Sequence, residues 1–233
     1  MLLLAVDTSG KNGSLALARL TAGQSEIDVL EVVPLIGGAF SAQLVPQIAA
    51  LLGKHGYGKS DLGAFAVASG PGSFTGLRVG LAAIKALGEA LQKPIVAVSV
   101  LEAVACSGAE LGRVFAALDA GRNEVYLGDY QVNPGVARNA RRNAERLLSR
   151  ADFVAEVMSC EANRSTVVTP DVGLAEAVRA AGIRVELIEY PNSAVVARLG
   201  WEHLQRGEAV RPEELEANYI RSSDAEIFSK PVL

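Results

Sequence analysis

The chain has 233 residues, of which 50% are hydrophobic, 21% charged and 5% aromatic. That apolar content supports a packed core and excludes general disorder. A formal net charge of −4 excludes an overall basic coat for nucleic acid and leaves room only for a local patch.

Mean hydropathy is +0.25, yet the apolar runs are too short to span a bilayer. The surplus predicts buried strands and helices, or a subunit interface. No cationic segment precedes the apolar start, which predicts a first buried strand in a cytoplasmic protein with no membrane contact.

In chain order, Leu2–Val6 reads as a buried strand and Asp7–Gly13 as a turn rich in residues that tolerate positive φ. Return strand Ser14–Leu20 and third strand Ile27–Val33 follow. Residues 41–52 carry apolar positions at helical spacing. Ala64–Ala68 is a strand, Thr75–Leu91 a longer helix, Ile95–Val98 a strand and Val100–Cys106 a short helix.

The second half repeats the order. Val114–Leu118 and Glu124–Tyr130 flank a turn at Asp119–Asn123. A weak strand or loop near 132–140 follows, then helix at Ala151–Val157 and strand at Thr166–Thr169. Helix Leu174–Ala181, strand Arg184–Ile188 and helix Ser193–Gln205 complete the unit. A duplicated βββαβαβα unit predicts an α/β protein of two similar lobes, the arrangement of the actin, Hsp70 and sugar-kinase superfold. The reading divides the chain into an N-terminal lobe, 1–99, a C-terminal lobe, 100–221, and a tail, 222–233.

Asp7 and Asp119 hold the same place in each half, before a tight turn. In that superfold, such aspartates face nucleotide phosphate and metal. Asp7, Thr8, Ser9, Asp119 and Arg122 are therefore candidate residues of a nucleotide cleft. A degenerate cleft is expected, because both loops are short and lack a glycine–threonine pair. The plainer alternative is that both aspartates only cap hairpin turns.

Other chemistry is poorly supplied. The two histidines, His55 and His203, lie far apart, and the cysteines are only Cys106 and Cys160. That gives no metal-ligand spacing and no disulfide framework, so two reduced, buried thiols are expected. His55 reads as a helix end and His203 as part of a surface helix. Neither a phosphate loop of the Gly-x4-Gly-Lys type nor a Gly-x-Ser-x-Gly elbow is present.

The most unusual segment is Ser69-Gly70-Pro71-Gly72-Ser73-Phe74-Thr75-Gly76-Leu77-Arg78-Val79-Gly80. Ser73 or Thr75 can cap the helix. Gly72, Gly76, Gly80 and Gly88 fall in one phase, with Ile84 in the remaining slot. Each mid-helix glycine costs about 1 kcal/mol relative to alanine, so a stripe of them needs a compensating contact. Two contacts are open: close packing on the helix at 41–52, or a helix seam with another subunit. Leu77, Leu81 and Leu87 on the other side allow both.

That run resembles the signature of the bacterial TsaB (YeaZ) family. Further similar blocks are Leu4-Ala5-Val6-Asp7-Thr8-Ser9, Ser41-x-x-Leu44-Val45-Pro46, Pro94-x-x-x-Val98-Ser99, Ala117-Leu118-Asp119-Ala120-x-x-x-Glu124-Val125-Tyr126 and Tyr219-Ile220-Arg221-x-Ser223-Asp224-Ala225-Glu226. The resemblance implies a catalytically silent relative of the TsaD threonylcarbamoyl transferase. Its implied role is in making N6-threonylcarbamoyladenosine at position 37 of tRNAs that read codons starting with A.

It further implies pairing with TsaD through the N-terminal lobe helices, the ATPase TsaE as a further partner, tRNA as substrate of the complex, and a homodimer in isolation. It implies no cofactor held by this chain alone, with ATP or ADP a possibility in the complex. The histidine pair of the transferase has no counterpart here, and nothing in the sequence supports proteolysis.

Carried over by position, the interface comprises Phe40, Ser41, Leu44 and Val45 on the first helix. On the second it comprises Phe74, Gly76, Leu77, Arg78, Gly80, Leu81 and Ile84. Phe40 stands where family members often carry histidine. The alternative reading is a small magnesium–ATP-dependent ATPase or phosphotransferase built on Asp7 and Asp119. Arg138, Arg142, Arg146 and Arg150, with Arg141 beside them, would form a basic stripe if helical. It is read as a solvated face, or as a phosphate contact to tRNA.

Overall fold

A computed structural model describes residues 1–21, 26–133, 139–159 and 165–221. Cys160, Arg138 and the tail at 222–233 lie outside the described residues. The first half contains β1 (Leu2–Asp7), β2 (Gly13–Arg19), β3 (Asp28–Leu35), α1 (Phe40–Lys54), β4 (Leu62–Gly70), α2 (Phe74–Leu91), β5 (Ile95–Ser99) and α3 (Val100–Ser107). The second contains β6 (Gly112–Gly121), β7 (Glu124–Asn133), β8 (Asn139–Ser149), α4 (Arg150–Ser159), β9 (Ser165–Thr169), α5 (Val172–Ala180), β10 (Val185–Leu187) and α6 (Ser193–Gln205). The expected order holds in both halves, with the third strand of the second half at Asn139–Ser149 and not near 132–140.

The two sheets share one topology. The first runs β3-β2-β1-β4-β5 and the second, in the mirrored listing, β10-β9-β6-β7-β8. In each, an antiparallel three-stranded meander joins two parallel strands through helical crossovers.

Strand alternation explains how the layers stack. In β1 and β4, Leu2, Leu4, Val6, Phe65 and Val67 face one side, with α1 and α2. Leu3, Ala5, Ala64, Ala66 and Ala68 face the other. The alanine side lets α6 approach so closely that a Cβ on Gly200 would lie 2.4 Å from the Ala66 Cβ.

The last helix of each half crosses over. α3 packs on the second sheet and α6 on the first, so both lie between the sheets. The layers are α1/α2, first sheet, α3/α6, second sheet, α4/α5. After α6 the chain stays with the first lobe. Val210 bridges to Ile95, and Leu215 enters the core beneath α1 and α2.

Three other expectations change. The arginines at 142 and 146 lie on strand β8, and Arg150 begins α4, so no helical stripe forms. A spacing of four would keep one face in a regular strand, but the bulge at Asn143 sets Arg142 opposite Tyr130 and Arg146 opposite Leu127, on opposite faces of the sheet. Each guanidinium has a carboxylate: Arg142 with Glu145 at 3.6 Å, Arg146 with Glu156, and Arg150 with Asp119 at 3.3 Å. A phosphate contact has little support in that arrangement.

His203 is enclosed rather than exposed. Its Nε2 is 2.9 Å from Glu102 of α3 and its Nδ1 3.5 Å from Glu208. Burial works against its charge, but the two carboxylates prevail and hold its pKa above the usual range. Cys106 is half-buried rather than buried.

Candidate functional site

The site begins with the packing of α2 onto the loop after β1. Ser73 caps α2, its Oγ accepting from the Gly76 amide at 3.3 Å. The Ser73 amide donates to the Ser9 carbonyl at 2.7 Å, and the Thr8 hydroxyl donates to the Gly76 carbonyl at 2.7 Å. A Cβ added at Gly76 would lie 2.0 Å from the Thr8 carbonyl oxygen. At Gly80 it would lie 2.3 Å from Thr8 Oγ1, and at Gly72 2.4 Å from the Ser9 carbonyl oxygen.

The glycine stripe therefore receives the Asp7-Thr8-Ser9 loop and, at Gly88, the Ile95 side chain. This corrects both expected contacts, the helix at 41–52 and a second subunit. The two sequence blocks form one packed unit.

The expected interface residues divide accordingly. Phe40, Leu44, Gly76, Leu77, Gly80, Leu81 and Ile84 are buried within the chain. The Phe40 ring turns inward against Gly13, so its place in the sequence says nothing of a partner contact. Ser41, Val45, Phe74 and Arg78 are exposed, Val45 to 61%. Around them lie exposed Ala42, Pro46, Ala49, Ala82 and Ala86, which the sequence reading did not select. Arg78 stacks over the Phe74 ring at 3.7 Å.

The loops after β1 and β6 do face each other. They line one cleft of about 990 Å³ that includes Ser9, Lys11, Asp119, Arg122, Asp171 and Tyr190. Thr8 and Asp7 are buried behind it, 1% and 3% exposed. Asp7 Oδ1 accepts from both the Ser9 amide, at 2.8 Å, and the Ser9 hydroxyl, at 2.6 Å. The Ser9 hydroxyl also meets the Tyr190 hydroxyl at 3.2 Å. Burial raises the Asp7 pKa, and the Ser9 hydrogen bonds only partly offset it.

Asp119 Oδ1 accepts from the Gly121 amide at 2.9 Å and closes its own turn. Its Oδ2 faces Arg150 at 3.3 Å, and its amide donates to Asp171 at 2.8 Å. Burial raises the Asp171 pKa, with the Asp119 charge adding to it. Among the described residues no group of three or more His, Cys, Asp or Glu is placed to hold a metal ion.

A magnesium nucleotide would need carboxylates aimed into the cleft. Asp7 is buried and holds Ser9, Asp119 is engaged by Gly121 and Arg150, and Asp171 accepts from the Asp119 amide, so the residues present do not fit that group.

Asp7 gives a direct test. Its folded pKa lies above the unfolded value of 3.8, so the folded state loses stability as pH rises from 3.8 through the folded pKa. Asp7→Asn keeps an oxygen acceptor for Ser9 and removes the charge. Thermal unfolding should show the variant more stable at pH 7, with the gap closing near pH 3.5. A variant less stable at pH 7 would mean that the charge has a partner and works for the fold.

Residues 32–222 match the family model described as TsaD, tRNA N6-adenosine threonylcarbamoyltransferase. The chain is 35% identical over 137 residues to the Bacillus subtilis "tRNA threonylcarbamoyladenosine biosynthesis protein TsaB", covering 58% of each. The matched region thus spans little more than half of that curated relative.

Among solved structures, a Pseudomonas aeruginosa protein described as similar to peptidase YEAZ superposes with a TM-score of 0.76 at 29% identity. That match covers 94% of this chain and 99% of the other. A Streptococcus pneumoniae ROK-family protein superposes with a TM-score of 0.50 at 10% identity, covering 89% of this chain and 99% of the other, and shows the shared fold alone. No described helix is long and apolar enough to cross a membrane. The chain belongs to the family whose model is described as TsaD, tRNA N6-adenosine threonylcarbamoyltransferase, and within it to the TsaB/YeaZ branch.

Proposed function

We propose that this chain serves N6-threonylcarbamoyladenosine synthesis on tRNA as a docking subunit without chemistry of its own, pairing with a TsaD-like transferase and working beside a TsaE-like ATPase. The observation that carries this reading is the outer face of α1 and α2. It exposes the apolar residues Val45, Pro46, Ala49, Ala82 and Ala86. A contiguous exposed patch of this kind marks an interaction site.

The face is also cationic. Arg78 and Lys85 lie on α2, Lys54 of α1 pairs with Glu31 at 2.7 Å, and Glu89 is the one acidic residue of the two helices. An isologous pair of copies would bring like charges together. A related chain with carboxylates on the corresponding helices fits better. The docked state supports catalysis by binding the competent conformation of the transferase more tightly than others.

The ATPase or phosphotransferase reading loses support because both aspartates are engaged by their own loops. Nucleotide at the assembled interface is compatible with this reading, with Lys11 and Arg122 lining the cleft.

The test is threonylcarbamoylation of tRNA in a mixture of the cognate transferase, the ATPase, tRNA and threonylcarbamoyl-adenylate. Modification should collapse when this chain is omitted. Equal modification without it ends the docking reading. In parallel, magnesium–ATP titrated into the isolated chain should show no binding tighter than millimolar.

A further inference from the structure

The last described residues form a strap that ties the two lobes together at the edge of the partner face. The Asn218 amide donates to the Ser69 carbonyl at 2.7 Å, fixing the strap to the end of β4. Asn218 Nδ2 donates to Glu145 Oε2 at 2.6 Å, reaching the second lobe. Glu145, with its side chain 5% exposed, also accepts from the Tyr130 and Ser99 hydroxyls. It is thus a clasp that joins β8, β7, the end of β5 and the strap. Arg221 pairs with Glu124 and lies over the Tyr126 ring at 5.9 Å. Asn218 lines both the front cleft and a rear cavity of about 830 Å³.

Tyr219 lines the front cleft beside Phe74. Its ring is 5.4 Å from that of Phe74, and its hydroxyl accepts from Arg78 Nε at 3.4 Å. Phe74 and Tyr219 remain 42% and 45% exposed, with Arg78 stacked on Phe74. Two aromatic rings and a guanidinium, held together yet open to solvent, are the side-chain types that dominate binding energy in protein interfaces. Holding them in one geometry before docking reduces the ordering cost.

We propose that Tyr219 is a docking residue, forming one anchor with Phe74 and Arg78, and that the strap clasped by Glu145 positions it. This deepens the docking reading above and rests on it. The occupant is the transferase-like partner, because Phe74 and Arg78 continue the exposed stripe of Ala82 and Ala86 along α2 that the docking reading assigns to it. Asn218 and Glu145 are positioning residues. Through them the anchor is tied to the angle between the lobes, so a change in that angle would alter the docking surface.

The experiment uses the full chain and the cognate transferase. Calorimetry would give the dissociation constant for wild type, Tyr219→Ala, Tyr219→Phe, Asn218→Leu and Val45→Asp. Deuterium uptake of the unbound chain would be followed over 217–221 and 74–78. Tyr219→Ala should weaken binding at least tenfold with an unchanged melting temperature. Tyr219→Phe keeps the ring and should retain most of the affinity. Asn218→Leu should weaken binding and speed exchange over both segments.

If Tyr219→Ala binds like wild type while Val45→Asp does not, this inference falls and the docking reading stands. If Asn218→Leu leaves exchange unchanged, the positioning role falls. A wild-type chain that binds no transferase overturns both the inference and the reading beneath it.

Discussion

Gly76→Val should destabilise this protein through its own fold and not through a partner contact. The added Cβ would sit 2.0 Å from the Thr8 carbonyl oxygen, a backbone atom that cannot swing away. The loop bearing that oxygen is fixed from both sides. Ser9 O accepts from Ser73, and Thr8 Oγ1 donates to the Gly76 carbonyl. Relief would require α2 to move off β1 and open the core that holds Leu77, Leu81 and Ile84.

Overpacking of this kind typically costs 1–3 kcal/mol, occasionally more, and a backbone collision belongs at the upper end, about 3 kcal/mol. For a chain of this size that is a fall of about 6–12 °C in melting temperature. Gly53→Ala is the control, since nothing lies within 4 Å of a Cβ there. Differential scanning calorimetry of the two variants decides the matter. A Gly76→Val protein that melts like wild type would mean the helix start is loose, and the stripe would again be open to a role between subunits.

Val45→Asp should do the reverse. Val45 is 61% exposed on α1, away from the core, so its replacement should change stability by less than about 0.5 kcal/mol. In a docked complex the same carboxylate would be desolvated in the centre of the apolar face. It would also oppose the carboxylates that the cationic rim is expected to meet. An unpaired buried charge costs several kcal/mol, so binding to the transferase should fall at least 100-fold. Analytical ultracentrifugation of the mixture, with circular dichroism to show an intact fold, reads both quantities. Undiminished pairing would move the docking surface elsewhere on the molecule.

These two residues show where sequence reading succeeded and where it stopped. The glycine stripe was visible in the sequence, and so was the need for a close neighbour, because repeated mid-helix glycine is costly. Periodicity could not say which backbone supplies that neighbour. The answer lies far away in the chain, at Thr8 and Ser9, where only the parallel pairing of β1 with β4 brings the loop beneath α2.

The same limit explains the interface. The resemblance marked a band of residues on two helices. Burial then separated Val45, Phe74 and Arg78, which a partner can reach, from Leu44, Gly80 and Ile84, which the core has used. Tyr219 was part of a quoted sequence block but carried no local pattern that placed it beside Phe74.

By itself, the sequence determined the order of elements and their duplication. Strand alternation, helical spacing and turn chemistry are local properties, and they agreed with one another in both halves. It also determined that Asp7 and Asp119 open equivalent turns on two facing loops, since each follows the first strand of its unit. Tertiary structure decided what those aspartates are free to do. Ser9 satisfies one, and Gly121 and Arg150 satisfy the other.

Tertiary structure also decided that the arginines of β8 lie on a strand with carboxylate neighbours. It placed the two closing helices, α3 and α6, across the opposite sheets. These outcomes depend on contacts between distant segments, and a long-range contact leaves no period in the chain that makes it.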